Sequence, residues 1–258
     1  LTAVLSDDYS DVTGDGLTED DPGSYTKFNY SMSDSDFRWI APFQAGPLTG
    51  SESAQYQPGF WSDPKDDKGQ YIIGSKEMWY LHSVETKNYV AEFYTSPRKD
   101  ALGTRKIVAN DADFTGDANI DAHLKVQKTA NSLSYKLDSI KLYNKNDRFV
   151  NQANALPIKT VIFDYDYSLC PNVPNHLTPG MNTQGGKLTL KKIYFRYGTS
   201  DKSLMNPYVF TYDLTNNKPY SFANKDRWGN YKETARGLTN YEFPYVKQDK
   251  VQANANAA

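Results

Sequence analysis

The chain has 258 residues, with 29 Lys and Arg against 31 Asp and Glu, for a net charge of -2. That length suffices for one large domain or two smaller ones with a real core, and the balanced, scattered charge excludes the basic footprint of a nucleic-acid or anionic-membrane binder. Aromatics make up 14% of the sequence, with 20 Tyr and 12 Phe, which suits sheets with a solvated face, because a tyrosine ring packs on the pleat while its hydroxyl stays wet.

Residues 1–24 are acidic and loop-like, with Asp7, Asp8, Asp11, Asp15, Glu19, Asp20 and Asp21 among glycines. Tyr25–Tyr30 alternates as a short strand. Residues 31–70 are rich in Ser, Asp, Gly and Pro and show no periodicity, so they read as a loop pinned by Trp39, Phe43, Phe60 and Trp61. Tyr71–Ile73, Met78–Val84 and Tyr89–Thr95 are short, aromatic and β-branched, and Glu85-Thr86-Lys87-Asn88 reads as the hairpin loop between the last two. Residues 97–122 are polar and turn-rich.

Longer strands follow at Tyr135–Tyr143, Ile158–Tyr167, Lys187–Tyr197 and Tyr208–Tyr212. Their period of two is what a half-buried antiparallel strand requires. Two units resemble each other: Lys136–Tyr143 with Ile162–Asp166, and Lys187–Phe195 with Val209–Asp213. Each is a long strand, a polar link and a strand ending in aromatic-x-Tyr-Asp, as in a sheet that grows sideways by repetition. Helix-favouring residues gather only in 247–258. The expected fold is all-β: antiparallel sheets of repeated long hairpins, part of a shell or an extended sheet. A division near residue 125 would give regions 1–125 and 126–258.

No apolar run approaches the ~20 residues of a membrane-spanning helix, and no signal peptide opens the chain. A lone Cys170 rules out an internal disulfide. Leu1-Thr2-Ala3 and the run Ala253–Ala258 lead to the expectation that the chain is cut from something longer.

The sharpest motif is Asp11-Val12-Thr13-Gly14-Asp15-Gly16-Leu17-Thr18-Glu19-Asp20-Asp21. Oxygen donors at alternate positions, with Gly16 for the tight turn, could wrap a hard cation. The side chains of Asp11, Thr13, Asp15 and Glu19 and the Leu17 carbonyl would then ligate calcium. Pro22 stands where an EF-hand places its bidentate Glu, so the alternative is a solvated acidic turn. Asp113–Asp121 is a poorer echo, with Ala118 in place of the turn glycine. Trp39, Trp61, Trp79 and Trp228 could offer sugar-stacking rings, Trp39 and Trp61 foremost, or could anchor a core. Asp226, Arg227 and Trp228 read as a locked turn, with charge-assisted bonds and a guanidinium on the indole. His82, His123 and His176 show no zinc spacing, and no nucleophile elbow or phosphate-cradling loop is present. A catalytic reading would need an unmarked pair of carboxylates, as in a glycoside hydrolase.

Gly186–Phe195, Asn206–Tyr212, Asp226–Lys232 and Leu238–Lys250 resemble a recurring block of very large bacteroidetal surface proteins. Lys76–Lys87 and Tyr135–Tyr143 look like the same family. The aromatic-x-Tyr-Asp strand ends carry a looser similarity to Rhs and YD-repeat proteins, whose strands coil into shells, although the usual Gly-Arg dipeptide is absent. The resemblance implies export, an extracellular or outer-membrane surface location, and packing against other segments of one large protein. The expected role is therefore structural. A module that binds a glycan or a cell-surface partner, and a hydrolase, are the alternatives.

Overall fold

The computed structural model describes residues 1–41, 72–103, 133–173, 175–177, 185–220 and Tyr231. The strands are β1 (Ala3–Leu5), β2 (Tyr25–Ala41), β3 (Ile72–Glu85), β4 (Tyr89–Pro97), β5 (Tyr135–Asn144), β6 (Lys159–Leu169), β7 (Lys187–Tyr197) and β8 (Tyr208–Val209). They form one sheet whose spatial order is the sequence order, every neighbour antiparallel. The all-β antiparallel expectation holds. The two look-alike units become adjacent hairpins, β5–β6 and β7–β8.

Register assigns the side chains to two faces. Phe93, Ile140, Val161 and Phe195 lie opposite one another across β4 to β7 and line the first face. Tyr94, Ser139, Ile162 and Tyr194 form the matching row on the second. Nearly every residue of β5 and β6 is half-buried on both faces, unlike a sandwich strand with one dry and one wet side. Long side chains provide the cover. Lys141 lies over Tyr94 (4.2 Å), Lys159 over Phe195 (4.5 Å) and Lys136 over Tyr165 (5.5 Å). Their aliphatic stems shield the rings while the ammonium stays near water.

Several elements depart from expectation. Residues 31–41, read as loop, belong to β2. Register shifts at Asn29/Tyr30, Met32/Asp34 and Asp34/Phe37 interrupt its alternation and hide it. Ile72 and Ile73, from the stretch expected at Tyr71–Ile73, merge with Met78–Val84 into β3 through Gly74, which lies beneath the Trp39 ring, and Tyr71 lies outside the described residues. The strand expected at Tyr208–Tyr212 is regular only at Tyr208–Val209, although Phe210 still donates to the Lys191 carbonyl (2.9 Å). Helix α1 (Lys145–Asn151) had no signal in the helix period. It spans seven residues and starts because the Asn144 side chain accepts from the Asp147 N–H (3.1 Å). The loop expected at 42–70, the echo at Asp113–Asp121, the division near residue 125 and the helical tendency of 247–258 lie outside the described residues. On either side of that division, β4 and β5 pair from Tyr89–Asn144 to Pro97–Tyr135.

Alternating strand direction sorts the connections. Residues 6–24, 86–88, 145–158 and 198–207 join strands at one end, hereafter the near end. Residues 42–71, 98–134 and 170–186 join them at the far end. Buried groups concentrate at both. The near end has an apolar cluster of Val90, Tyr143 and Ala155 beside α1, whose Arg148 lies over Tyr143 (5.2 Å) and bonds Glu92 (2.8 Å). Those bonds and the Tyr94 hydroxyl outweigh burial and hold Glu92 below the usual carboxylate range.

The far end is closed by a strap, residues 98–103. Asp100, 2% exposed, takes two bonds from Arg98 (2.7 and 2.6 Å) and one from the Leu188 N–H (3.0 Å). Burial alone would raise Asp100, but those bonds keep its carboxyl below the ordinary value. The strap reaches β2 as well, because the Gly103 Cα abuts the Arg38 carbonyl and the Phe37 ring. It thereby spans the region where β3 has parted from β4, whose pairing covers Ser83–Glu85 with Val90–Glu92. Tyr80 bridges the same gap, accepting from the Tyr135 N–H (2.9 Å).

Candidate acidic loop and aromatic surfaces

The acidic loop is closed by the pairing of Leu5 with Tyr25 and by the Ser6 N–H on the Ser24 carbonyl (2.9 Å). Asp11 organises its tip: one carboxylate oxygen accepts from the Gly14 N–H (2.6 Å), the other from Gly16 (3.1 Å). Both glycines have positive φ, 73° and 98°, as a turn this tight requires. Thr13 donates to Asp15 (2.6 Å). Asp21, 1% exposed, accepts from the Tyr9 hydroxyl (2.6 Å), the Val12 N–H (3.1 Å) and the Thr18 N–H (3.2 Å). The Tyr9 bond leads the causes that bring the Asp21 carboxyl down to about 2. Burial and Asp21 together push the Tyr9 phenol up.

Asp11, Asp15 and Asp21 each place a carboxylate oxygen within 4.8 Å of the others. Three hard oxygen donors in one turn are the chemistry of a calcium or magnesium ligand set. The spacing argument named Glu19 as a ligand. The fold instead turns Glu19 toward α1, where it pairs with Lys145 (3.1 Å), and turns Asp21 inward. The cause lies next to Asp21. Gly23, at φ 82°, lets the chain pass so close to the Tyr9 backbone that a Cβ would lie 2.5 Å from it. Lys87 also bonds the Asp21 carbonyl and ties the loop to the β3–β4 turn. The Leu17 residue itself lies in the described turn. The loop is thus shaped by its own hydrogen bonds, and a cation would share oxygens already engaged.

Trp39 is half-buried with its ring on Gly74, so it fills the gap beside a strand glycine. Trp61 and the turn Asp226, Arg227 and Trp228 lie outside the described residues. The exposed indole among the described residues is Trp79, 54% exposed, opposite Met32 at 50%, with exposed Tyr30 two residues along β2 from Met32. Its indole N–H donates to Glu77 (2.9 Å). Only the register distinguishes it from Trp39, and sequence spacing gave no such register. The two most deeply buried carboxylates among the described residues, Asp21 and Asp100, sit at opposite ends, each engaged with its own partners. Among those residues no helix is long and apolar enough to cross a membrane.

Comparison of the chain with family models, with curated proteins and with solved structures finds no match in any of the three.

Proposed function

We propose that this chain is an architectural section of a larger exported protein, a strip of sheet within a cell-surface scaffold or an Rhs-like shell. The observation that supports this reading is the strand order. Among the described residues each strand pairs only with its sequence neighbours, so such a strip can be lengthened by adding hairpins at either edge. Half-buried faces dressed with lysine-covered aromatics serve the same end, since the strip needs no thick central core. On this reading its partners are other segments of the same protein, its location is extracellular or on the outer-membrane surface, and calcium on Asp11, Asp15 and Asp21 would stiffen the near end.

Protease shaving of intact cells, with intact-mass and peptide mapping of the parent, tests the reading. Release of these peptides from the surface, within a parent running well beyond residues 1 and 258, is the expected result. A cytosolic protein that ends at these residues would overturn it. For the cation, calcium should raise the protection of the Gly14, Gly16 and Thr18 amides, and chelator should reverse the effect. No change would remove calcium from the account.

A second reading, a carbohydrate- or partner-binding surface, is favoured by Trp79, Met32 and Tyr30, an exposed aromatic group with the Glu77 carboxylate at its rim. A glycan array with wild type and Trp79→Ala separates the two. Binding lost in the variant supports the surface, and no binding by wild type counts against it.

A further inference from the structure

His176 lies in the connection from β6 to β7 and is 3% exposed. Its ring meets Tyr167 edge-on, with centroids 5.2 Å apart and planes at 88°. Gly185 presses on the ring so closely that a Cβ there would fall 2.3 Å from Cγ. The residues around it are the ones that tie the far end together. The Asn175 carbonyl accepts from the Leu102 N–H (3.1 Å), and its amide donates to the Leu102 carbonyl (3.2 Å). The Leu177 N–H donates to the Lys99 carbonyl (2.7 Å) and the Val173 N–H to that of Gly185 (2.9 Å). The imidazole is therefore the centrepiece of a clasp between the strap, Val173, Asn175 and Leu177, and the glycine that leads into β7.

We propose that this clasp is an acid-sensitive latch: protonation of His176 places a charge in an almost fully buried site and frees Asn175, His176 and Leu177 from the strap. Among the described residues, the charged groups facing it come from three elements. From the strap come Asp100, already held by Arg98 and the Leu188 N–H, and Lys99, whose ammonium stands 5.7 Å above the Tyr167 ring. From β6 comes the Tyr167 hydroxyl, which accepts from the Lys99 N–H (2.8 Å). From β7 comes exposed Lys187. The sequence from 173 to 186 contains no other ionisable side chain.

Burial lowers the His176 pKa, with Asp100 opposing and Lys99 assisting. The folded state thus prefers neutral histidine. Its contribution is complete above the ordinary value of about 6.5, declines below it, and is gone once pH falls through the lower folded value. The latch is also strained, which favours release. Ala101, Cys170 and Asn172 hold φ of 56°, 49° and 67°, in the left-handed region that side chains disfavour. None of the near-end connections contains a histidine.

The test is NMR titration of the His176 ring in the 258-residue chain, with amide exchange of Leu102, Val173 and Leu177 followed from neutral to mildly acidic pH. Opening of these amides, corrected for intrinsic exchange, should rise about tenfold per pH unit below ~6.5 until the folded value is reached. Tyr9, Val12 and Thr18 should stay flat. In His176→Gln the pH dependence should vanish, whatever the variant's stability. A ring that titrates at or above the ordinary value, clasp amides that stay flat, or a variant that keeps the dependence would overturn the latch. If the variant does not fold, the wild-type titration and exchange decide.

Discussion

At the near end, Val90, Tyr143 and Ala155 gather into an apolar cluster, the surrounding bonds of Arg148, Glu92 and Lys145 sit at its rim, and the buried Asp21 carboxylate lies apart from it within the acidic loop. At the far end the buried set is mixed: Leu102 and Val173 beside Asp100, Ser134, His176 and Thr189. The difference matters because the two kinds of cluster fail differently. An apolar cluster loses stability in proportion to the groups removed. A polar clasp fails abruptly, since taking one partner leaves the others buried and unsatisfied. Between the two ends, β5 and β6 are half-buried throughout and contribute mainly backbone pairing and lysine-covered rings. The molecule is therefore fastened at its ends rather than through its middle.

The largest effect that separates the ends is expected from Asp100→Asn. Removing one partner of a buried pair should cost on the order of 3 kcal/mol. The loss should appear in the exchange of Leu188 and Leu102 and spare Tyr143. Equal losses at both ends would merge them into one unit. Next comes Gly185→Ala, which drives a methyl into the His176 ring and should cost about 2 kcal/mol by overpacking, read from urea unfolding.

Acid gives a sharper contrast. Because the folded Asp21 carboxyl lies at about 2, its contribution is present above the ordinary Asp value and is lost as pH falls from ~4 toward 2. Protection of Val12 and Thr18 should thus fail well below the pH at which the His176 latch opens. A near end that opened first would reverse the comparison. A smaller change tests α1 alone: Asn144→Ala removes the bond to Asp147 and should cost about 1 kcal/mol, visible in helix amides. The smallest is a gain. Ala101→Gly relieves a φ of 56° and should stabilise the strap by about 0.5–1 kcal/mol, seen as slower exchange at Leu102.

What the sequence disclosed follows from the range of its signals. Alternation in Tyr135–Tyr143, Ile158–Tyr167 and Lys187–Tyr197 is local, and those strands stand nearly as read. The second half of β2 stayed hidden because bulges at Met32/Asp34 and Asp34/Phe37 break the period that announces a strand. Asp11 and Asp15 were legible as a turn pair by spacing. Asp21 closed the same motif but was not legible as the third carboxylate of the group, because Gly23 and Tyr9 swing it inward and Lys145 draws Glu19 away. The far-end clasp was invisible for a similar reason. Arg98, Asp100, Tyr167, His176 and Leu188 are brought together by two connections and two strands, β6 and β7, and no local pattern marks them.

The central claim is that stability is divided between two end clusters joined by a thin sheet. Native-state hydrogen exchange in rising urea tests it most directly. The account predicts two families of amides, one around Val90, Tyr143 and Lys145 and one around Leu102, Val173 and Leu188, each converging on its own opening free energy. A single isotherm shared by both families and by the middle of β5 and β6 would contradict it.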